Sequence, residues 1–162
     1  MLHRTAVSLP KLYLETTIPS YLVARPSRFI HVAARHETTR RWWETRRQFF
    51  EMFVSDVVLQ EARAGDAEMA AAREAVLAGL PQLEQSPEAD ALAERLLAME
   101  IIPVKAAGDA AHVALAAVHG MDFLLTWNCK HINNATLKRR IEAACAALGF
   151  RCPVICTPNE LR

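Results

Sequence analysis

Five short runs of apolar, β-branched or aromatic residues recur along the chain: KLYLE at 11–15, FFEMFV at 49–54, EIIPV at 100–104, DFLLT at 122–126 and PVIC at 153–156. Each has the length of a strand buried on both faces. Longer stretches with helical period and cap signals separate them. Ser27 is placed to cap a helix through an arginine-rich segment, and Ser55-Asp56 to open a helix through Leu59 and Arg63. Gly65-Asp66 opens a helix to about Gly79, Ser86-Pro87-Glu88 opens the next, and Asn133 or Asn134 caps a last helix that Gly149 ends. Strands that alternate with helices and are apolar on both faces require a parallel sheet covered on both sides. The expected fold is α/β, a three-layer α/β/α sandwich around a parallel sheet of four or five strands. No repeat, low-complexity tract or Gly/Ser linker divides residues 1–162, which read as a single domain.

The turn after the first run limits the chemistry. It reads Glu15-Thr16-Thr17-Ile18-Pro19, without a glycine. A dinucleotide loop and a GxxxxGK[ST] loop both need bare backbone to approach phosphate, so both are excluded. No GxSxG elbow is present for a hydrolase triad. A haloacid-dehalogenase-type phosphatase would show two aspartates here, where a single Glu stands. Ligands in α/β sheets bind outside the carboxyl ends of the strands, so Glu15 marks a candidate site. The segment also reads as a helix start, with Thr16 or Thr17 capping and Pro19 in the first turn. Both readings can hold together.

Isolated acids recur where strands and loops meet helices. Glu61 lies six residues after Ser55, and Asp109 heads GDAAHVALAAVHG, which leads into LLTWN with Thr126 and Asn128. Right-handed crossovers bring strand ends and helix starts to one sheet edge. Glu15, Asp109 and Asn128 should converge there, with Glu61 reaching in from a neighbouring helix. Gathered carboxylates raise one another's pKa, a cost that a divalent cation relieves. Oxygen ligands suit Mg²⁺ or Mn²⁺, and such a cluster near an arginine-rich segment suggests phosphodiester hydrolysis. Each acid also has a plainer reading: Glu15 as a strand-end cap, Glu61 as an exposed helix residue, Asp109 as an N-cap. His112, one turn after Asp109, reads as a packed residue, or one that holds a ligand in place, rather than a ligand itself.

Taken in order, LYLETTIPSYL, FVSDVVLQEA and DAAHVALAAVHGMDFLLTWN resemble the PIN domain, specifically its VapC-like toxin class, from Lys11 to about Thr157. That family's pattern is a strand ending in Asp-Thr-Ser or similar, then Ser-x-x-x-x-x-Glu, then an Asp-led helix before a strand closing in Thr-x-Asp or Thr-x-Asn. The resemblance implies a metal-dependent endoribonuclease. Glu15, Glu61 and Asp109 fall on its metal-binding acids and Asn128 on the fourth position, while Thr16 and Thr126 fall on hydroxyl positions lining the pocket. It further implies RNA as substrate, 5′-phosphate and 3′-hydroxyl products, and a cognate antitoxin that blocks the pocket. Two positions depart from the pattern. Glu15 is one methylene longer than the usual Asp, and Asn128 is uncharged where a second-metal Asp often stands. The alternative is a catalytically degenerate PIN fold that binds RNA or a protein without cutting.

The net charge is only +1, but residues 25–47 carry seven Arg against two Glu, and residues 60–100 nine acids against three Arg. The basic block reads as a phosphate-binding face or as a solvated helix face. On one continuous helix, Arg40, Trp43 and Arg47 share nearly one side, which is expected to hold the RNA backbone. The competing reading packs that side in a homodimer, the expected assembly, with Trp42 and Trp43 as helix core or dimer contact. His131, in the loop after Asn128, lies within reach of a substrate phosphate. The spacing of Cys129, Cys145, Cys152 and Cys156 lacks the tight pairs of a zinc site, so reduced thiols are expected. No apolar run approaches the roughly 20 residues of a membrane span, and the first residues lack the apolar core of an export signal. A cytoplasmic location follows as the expectation.

Overall fold

Leu12, Tyr13 and Leu14 have no exposed surface, because the strand they form lies in the middle of a sheet with helices over both faces. The computed structural model describes residues 8–162, so the reading of the first seven residues lies outside it. The elements are β1 (Lys11–Leu14), α1 (Thr17–Val23), α2 (Ile30–Thr45), β2 (Glu51–Ser55), α3 (Asp56–Ala62), α4 (Ala67–Leu77), β3 (Gln82–Leu83), α5 (Pro87–Ala98), α6 (Ala107–Val118), β4 (Phe123–Leu125), α7 (Ala135–Ala147) and β5 (Val154–Cys156). Short 3₁₀ turns, Arg47–Phe49 and Val104–Ala106, precede β2 and α6. All five strands are parallel, in the order β3-β2-β1-β4-β5. Tyr13 faces Phe53 of β2 on one side and Leu124 of β4 on the other.

From β1 the chain steps through β2 to β3, then returns to β4 on the far side of β1 and continues to β5. Crossovers in opposite directions, all right-handed, place helices on opposite faces. Accordingly α1 packs with α2 and α4, and α5 packs with α6 and α7. The direction of winding reverses between β1 and β4, and a crevice opens at the carboxyl ends of strands at such a point. Glu15 follows β1 there, and Thr126 to Asn128 follow β4.

Several helix starts are those the sequence signals. Ser55 accepts from the Val58 N–H at 3.4 Å, Asp66 from Met69 at 3.0 Å, Ser86 from Ala89 at 3.2 Å and Asn134 from Thr136 at 2.9 Å. Ser27 does otherwise. Its hydroxyl accepts from the Phe29 N–H at 3.2 Å, and α2 begins at Ile30 without a side-chain cap.

The run at 100–104 is not a strand. Glu100 takes a left-handed φ of 53°, and the N–H groups of Ile101 and Ile102 both donate to the Leu96 carbonyl, at 3.1 and 3.2 Å. These bonds close the C-terminus of α5 and fold both isoleucines into the core, so their burial comes from a helix cap. The edge strand is instead β3, where Leu83 pairs with Ser55. Pro81-Gln82-Leu83 contains no β-branched residue and is too short to show a period. No helix among the described residues is long and apolar enough to cross a membrane.

Candidate metal-binding active site

Glu15 is the first residue past β1 and is only 3% exposed. Its Oε2 accepts from the Thr17 N–H at 3.0 Å, from the Thr17 hydroxyl, and from the Thr126 hydroxyl at 2.7 Å. Its Oε1 accepts no hydrogen bond among the described residues. Thr17 Oγ1 in turn accepts from the Trp127 N–H at 2.8 Å, tying the end of β4 to the start of α1. Thr16 occupies the N-cap position of α1 but makes no cap bond. Its hydroxyl donates instead to Glu61 Oε2, at 2.5 Å. The threonines of the first turn therefore serve carboxylates rather than the helix.

Glu61 sits in the last turn of α3 and faces His112 of α6. His112 Nε2 lies 3.2 Å from both Glu61 oxygens, and its Nδ1 lies 2.8 Å from the Tyr13 hydroxyl, itself 2.7 Å from Ser55 Oγ. One ligand atom from each of Glu15, Glu61 and His112 falls within 4.8 Å of the others. Burial alone would push the His112 pKa down, but the Glu61 hydrogen bond and the charges of Glu15, Glu61 and Asp109 raise it above its ordinary value. Burial likewise works to raise Glu61, and the His112 and Thr16 contacts outweigh it, holding the carboxyl below the usual range. Desolvation keeps the Tyr13 phenol neutral. Gly108 completes this wall, since a Cβ at that position would lie 2.8 Å from Glu61 Oε1.

Asp109 lies in the first turn of α6, whose N-cap position is Ala106, so the N-cap reading does not hold. Its Oδ2 is 2.8 Å from His131 Nδ1. Asn128 Oδ1 accepts from the His131 N–H at 3.1 Å, and the Asn128 N–H donates to Thr126 Oγ1 at 2.8 Å. The Asn128 amide thus closes the loop that delivers His131 to Asp109. Glu15, Glu61, Asp109 and Asn128 all stand at the carboxyl edge of the sheet. The tightest group, however, is Glu15, Glu61 and His112, without Asn128 and with Asp109 alongside. His112 is packed, as expected, and the i+3 step from Asp109 turns its imidazole toward Glu61.

The arginine face does not form as drawn from the sequence. Helix α2 stops at Thr45, and Arg47 lies in the 3₁₀ turn before β2, its Cζ 4.9 Å from the Trp43 ring centre. That turn feeds the amino end of a strand, the edge opposite the acids. Arg40 donates to the carbonyls of Leu22 at 3.4 Å and Ala24 at 2.8 Å, closing the end of α1. Trp42 is core, 3% exposed, with its indole N–H on the Leu161 carbonyl at 2.7 Å. The arginine that reaches the end of β4 is Arg35, with Cζ 5.3 Å from the Trp127 ring centre. The four cysteines are free thiols, and none joins a metal-binding group among the described residues.

The PIN domain family model matches residues 13–135. No curated protein sequence matches the chain. Among solved structures, the chain resembles VapC20 of Mycobacterium tuberculosis, described as a sarcin-ricin loop cleaving toxin. The TM-score is 0.52 at 17% identity, over 86% of this chain and 96% of that one, a likeness of fold. The matched span runs from Tyr13 in β1 to the start of α7, and takes in Glu15, Glu61, Asp109 and the loop of Asn128 and His131. The chain belongs to the PIN domain family.

Proposed function

We propose that this protein is a metal-dependent endoribonuclease, the toxin of a toxin–antitoxin pair. The observation that carries the reading is the Glu15 carboxylate. It is almost wholly buried, with Oε2 taking three donors and Oε1 none among the described residues, and it offers a ligand atom within 4.8 Å of one each from Glu61 and His112. Carboxylates gathered this closely repel one another unless a cation meets them. The donor set fits a divalent ion, and Gly108 leaves the space in which the Glu61 carboxylate stands.

Glu15, Glu61 and Asp109 would hold Mg²⁺ or Mn²⁺. Such an ion supplies an activated water and offsets charge on the leaving oxygen. The rest falls to the chain itself. Thr17 and Thr126 fix Glu15, while Thr16 and His112 fix Glu61. Asn128 holds the loop that sets His131 against Asp109, leaving His131 Nε2 to meet a phosphate oxygen of RNA. The description of the structural neighbour as a sarcin-ricin loop cleaving toxin supports the substrate class.

The engagement of Asn128 in its loop favours a second reading, a degenerate site with three acids that binds RNA without cutting. Incubating labelled RNA with the purified protein separates the two. Cleavage should vanish in EDTA, return with Mn²⁺ and be abolished by Asp109→Asn at unchanged fold. Binding without cleavage in Mn²⁺ establishes the second reading, and cleavage indifferent to EDTA removes the metal from the first.

A further inference from the structure

We infer that Arg35 is the phosphate-binding residue beside the acidic pocket, gripping the RNA backbone next to the point of cleavage; this rests on the ribonuclease reading. Three carboxylates attract a metal ion but repel phosphate, so a nuclease of this kind needs a cation close by. Most arginines with ordered contacts are committed elsewhere. Arg25 pairs with Asp66 and Glu68, Arg63 with Glu74 and Arg151 with Asp122, while Arg40 is spent on backbone carbonyls. Arg47 stands at the opposite edge of the sheet. The Arg35 side chain is partly exposed and makes no hydrogen bond or ion pair among the described residues.

Its place is set by Trp127, the residue between Thr126 and Asn128. The Trp127 backbone N–H bonds to Thr17 Oγ1, which donates to Glu15, so the main chain that carries the indole is two hydrogen bonds from the carboxylate. The indole N–H donates to Thr39 Oγ1 at 2.8 Å, and that hydroxyl donates to the Arg35 carbonyl at 2.7 Å, one turn back along α2. Tyr21 stacks against the indole with a ring separation of 6.1 Å and an angle of 22°. The ring is thereby fixed, and the guanidinium over it is held by a cation–π contact that consumes none of its N–H donors. A guanidinium with a free fork of donors, weakly hydrated and ordered in advance, matches a phosphate. Lys130, exposed two residues beyond Asn128, makes no side-chain hydrogen bond or ion pair among the described residues.

The test measures binding of a fluorescein-labelled single-stranded RNA by anisotropy across a salt series, with Ca²⁺ present. The proteins are wild type, Arg35→Ala, Arg35→Lys and Arg47→Ala, with Mn²⁺ affinity measured calorimetrically on each. Arg35→Ala should bind RNA about tenfold more weakly, the worth of one charge-assisted hydrogen bond. Its log–log salt slope should fall by about 0.7, one phosphate contact on a single strand. Arg35→Lys should lie between, Arg47→Ala should match wild type, and Mn²⁺ affinity should not move. Native RNA affinity and slope in Arg35→Ala overturn the inference. So does a parallel loss of Mn²⁺ affinity, which would mean that Arg35 acts through Trp127 on the pocket. Wild type that binds RNA through Arg35 but never cuts it in Mn²⁺ removes the nuclease reading and leaves this one standing; wild type that binds no RNA overturns both.

Discussion

Gly108→Ala sets a local gain in helix stability against a loss at the site. Gly108 is the second residue of α6, and an added Cβ would stand 2.8 Å from Glu61 Oε1 and 4.0 Å from its Cδ. Ordinary contact begins near 3.4 Å, so the carboxylate must retreat by roughly 0.6 Å. The atom in the way is the tip of a flexible side chain, so the backbone need not move. Alanine in place of glycine favours a helix interior by up to about 1 kcal/mol, less in a first turn. The retreat stretches the Thr16 and His112 hydrogen bonds to Glu61, which offsets much of that gain. Thermal stability in EDTA should therefore stay within roughly 3 °C of wild type. Function should not. If a 1 Å misplacement costs about a hundredfold, 0.6 Å costs on the order of tenfold in cleavage rate. Calorimetric titration with Mn²⁺ should show weakened binding in the same variant. Native metal affinity and native cleavage in Gly108→Ala would show that Glu61 need not stand where the glycine lets it, and the metal assignment would lose its support.

Arg40→Ala should lower stability by about 1–2 kcal/mol, or roughly 3–6 °C in Tm, by leaving carbonyls at the end of α1 without their donor, yet spare RNA affinity; a melt and an anisotropy titration decide it. Asn128→Asp keeps an oxygen for the His131 N–H and adds a charge beside Asp109, so it should lower the Mn²⁺ concentration for half-maximal rate. Asn128→Ala frees the loop and should slow cleavage; equal kinetics in the two variants would leave the Asn128 bond without a role. In EDTA, stability should peak between the ordinary pKa values of Glu61 and His112, 4.5 and 6.5. His112 is raised on folding, so its contribution is complete below 6.5 and is lost as pH climbs through the folded value. Glu61 is depressed, so its contribution is complete above 4.5 and is lost as pH falls through the folded value. A His112→Gln variant whose melting temperature follows the wild-type pH curve would refute the pairing.

The sheet was legible because β1, β2, β4 and β5 are apolar on both faces, a pattern that residues 11–14 and 123–125 carry without help from the rest of the chain. β3 was not, because two residues paired beside a proline leave no period, while Ile101 and Ile102 mimic a strand from within a helix cap. The positions of Glu15, Glu61 and Asp109 follow from topology, since each sits where a strand end or a helix faces one sheet edge. What each touches is decided by side chains far apart in sequence. Thr126 reaches Glu15 across 111 residues, and His131 reaches Asp109 across 22. The arginines show the same limit. Helical period places Arg40 and Arg47 on one side only while the helix lasts, and it says nothing of the carbonyls at the end of α1.

From the sequence alone, a divalent cation is the relief for the repulsion between the gathered acids. The structure supplies a second. His112 faces Glu61 and His131 faces Asp109, so two of the three carboxylates have an imidazole within hydrogen-bonding distance. Glu15 has none; it is held by hydroxyls and an amide, which solvate the charge without cancelling it. A proton on His112 and a metal ion at Glu61 compete for the same atoms. Below the raised pKa of His112 the pair stabilises itself; above it, Glu61 and the bare oxygen of Glu15 are left to the metal. Metal affinity should accordingly rise with pH through that value more steeply than carboxylate titration allows, since carboxylates have lost their protons well below it. Replacing His112 with glutamine removes the competitor and should flatten the rise. If Mn²⁺ affinity climbs equally steeply in His112→Gln, the protons displaced by the metal come from elsewhere, and His112 serves only to hold Glu61 in place.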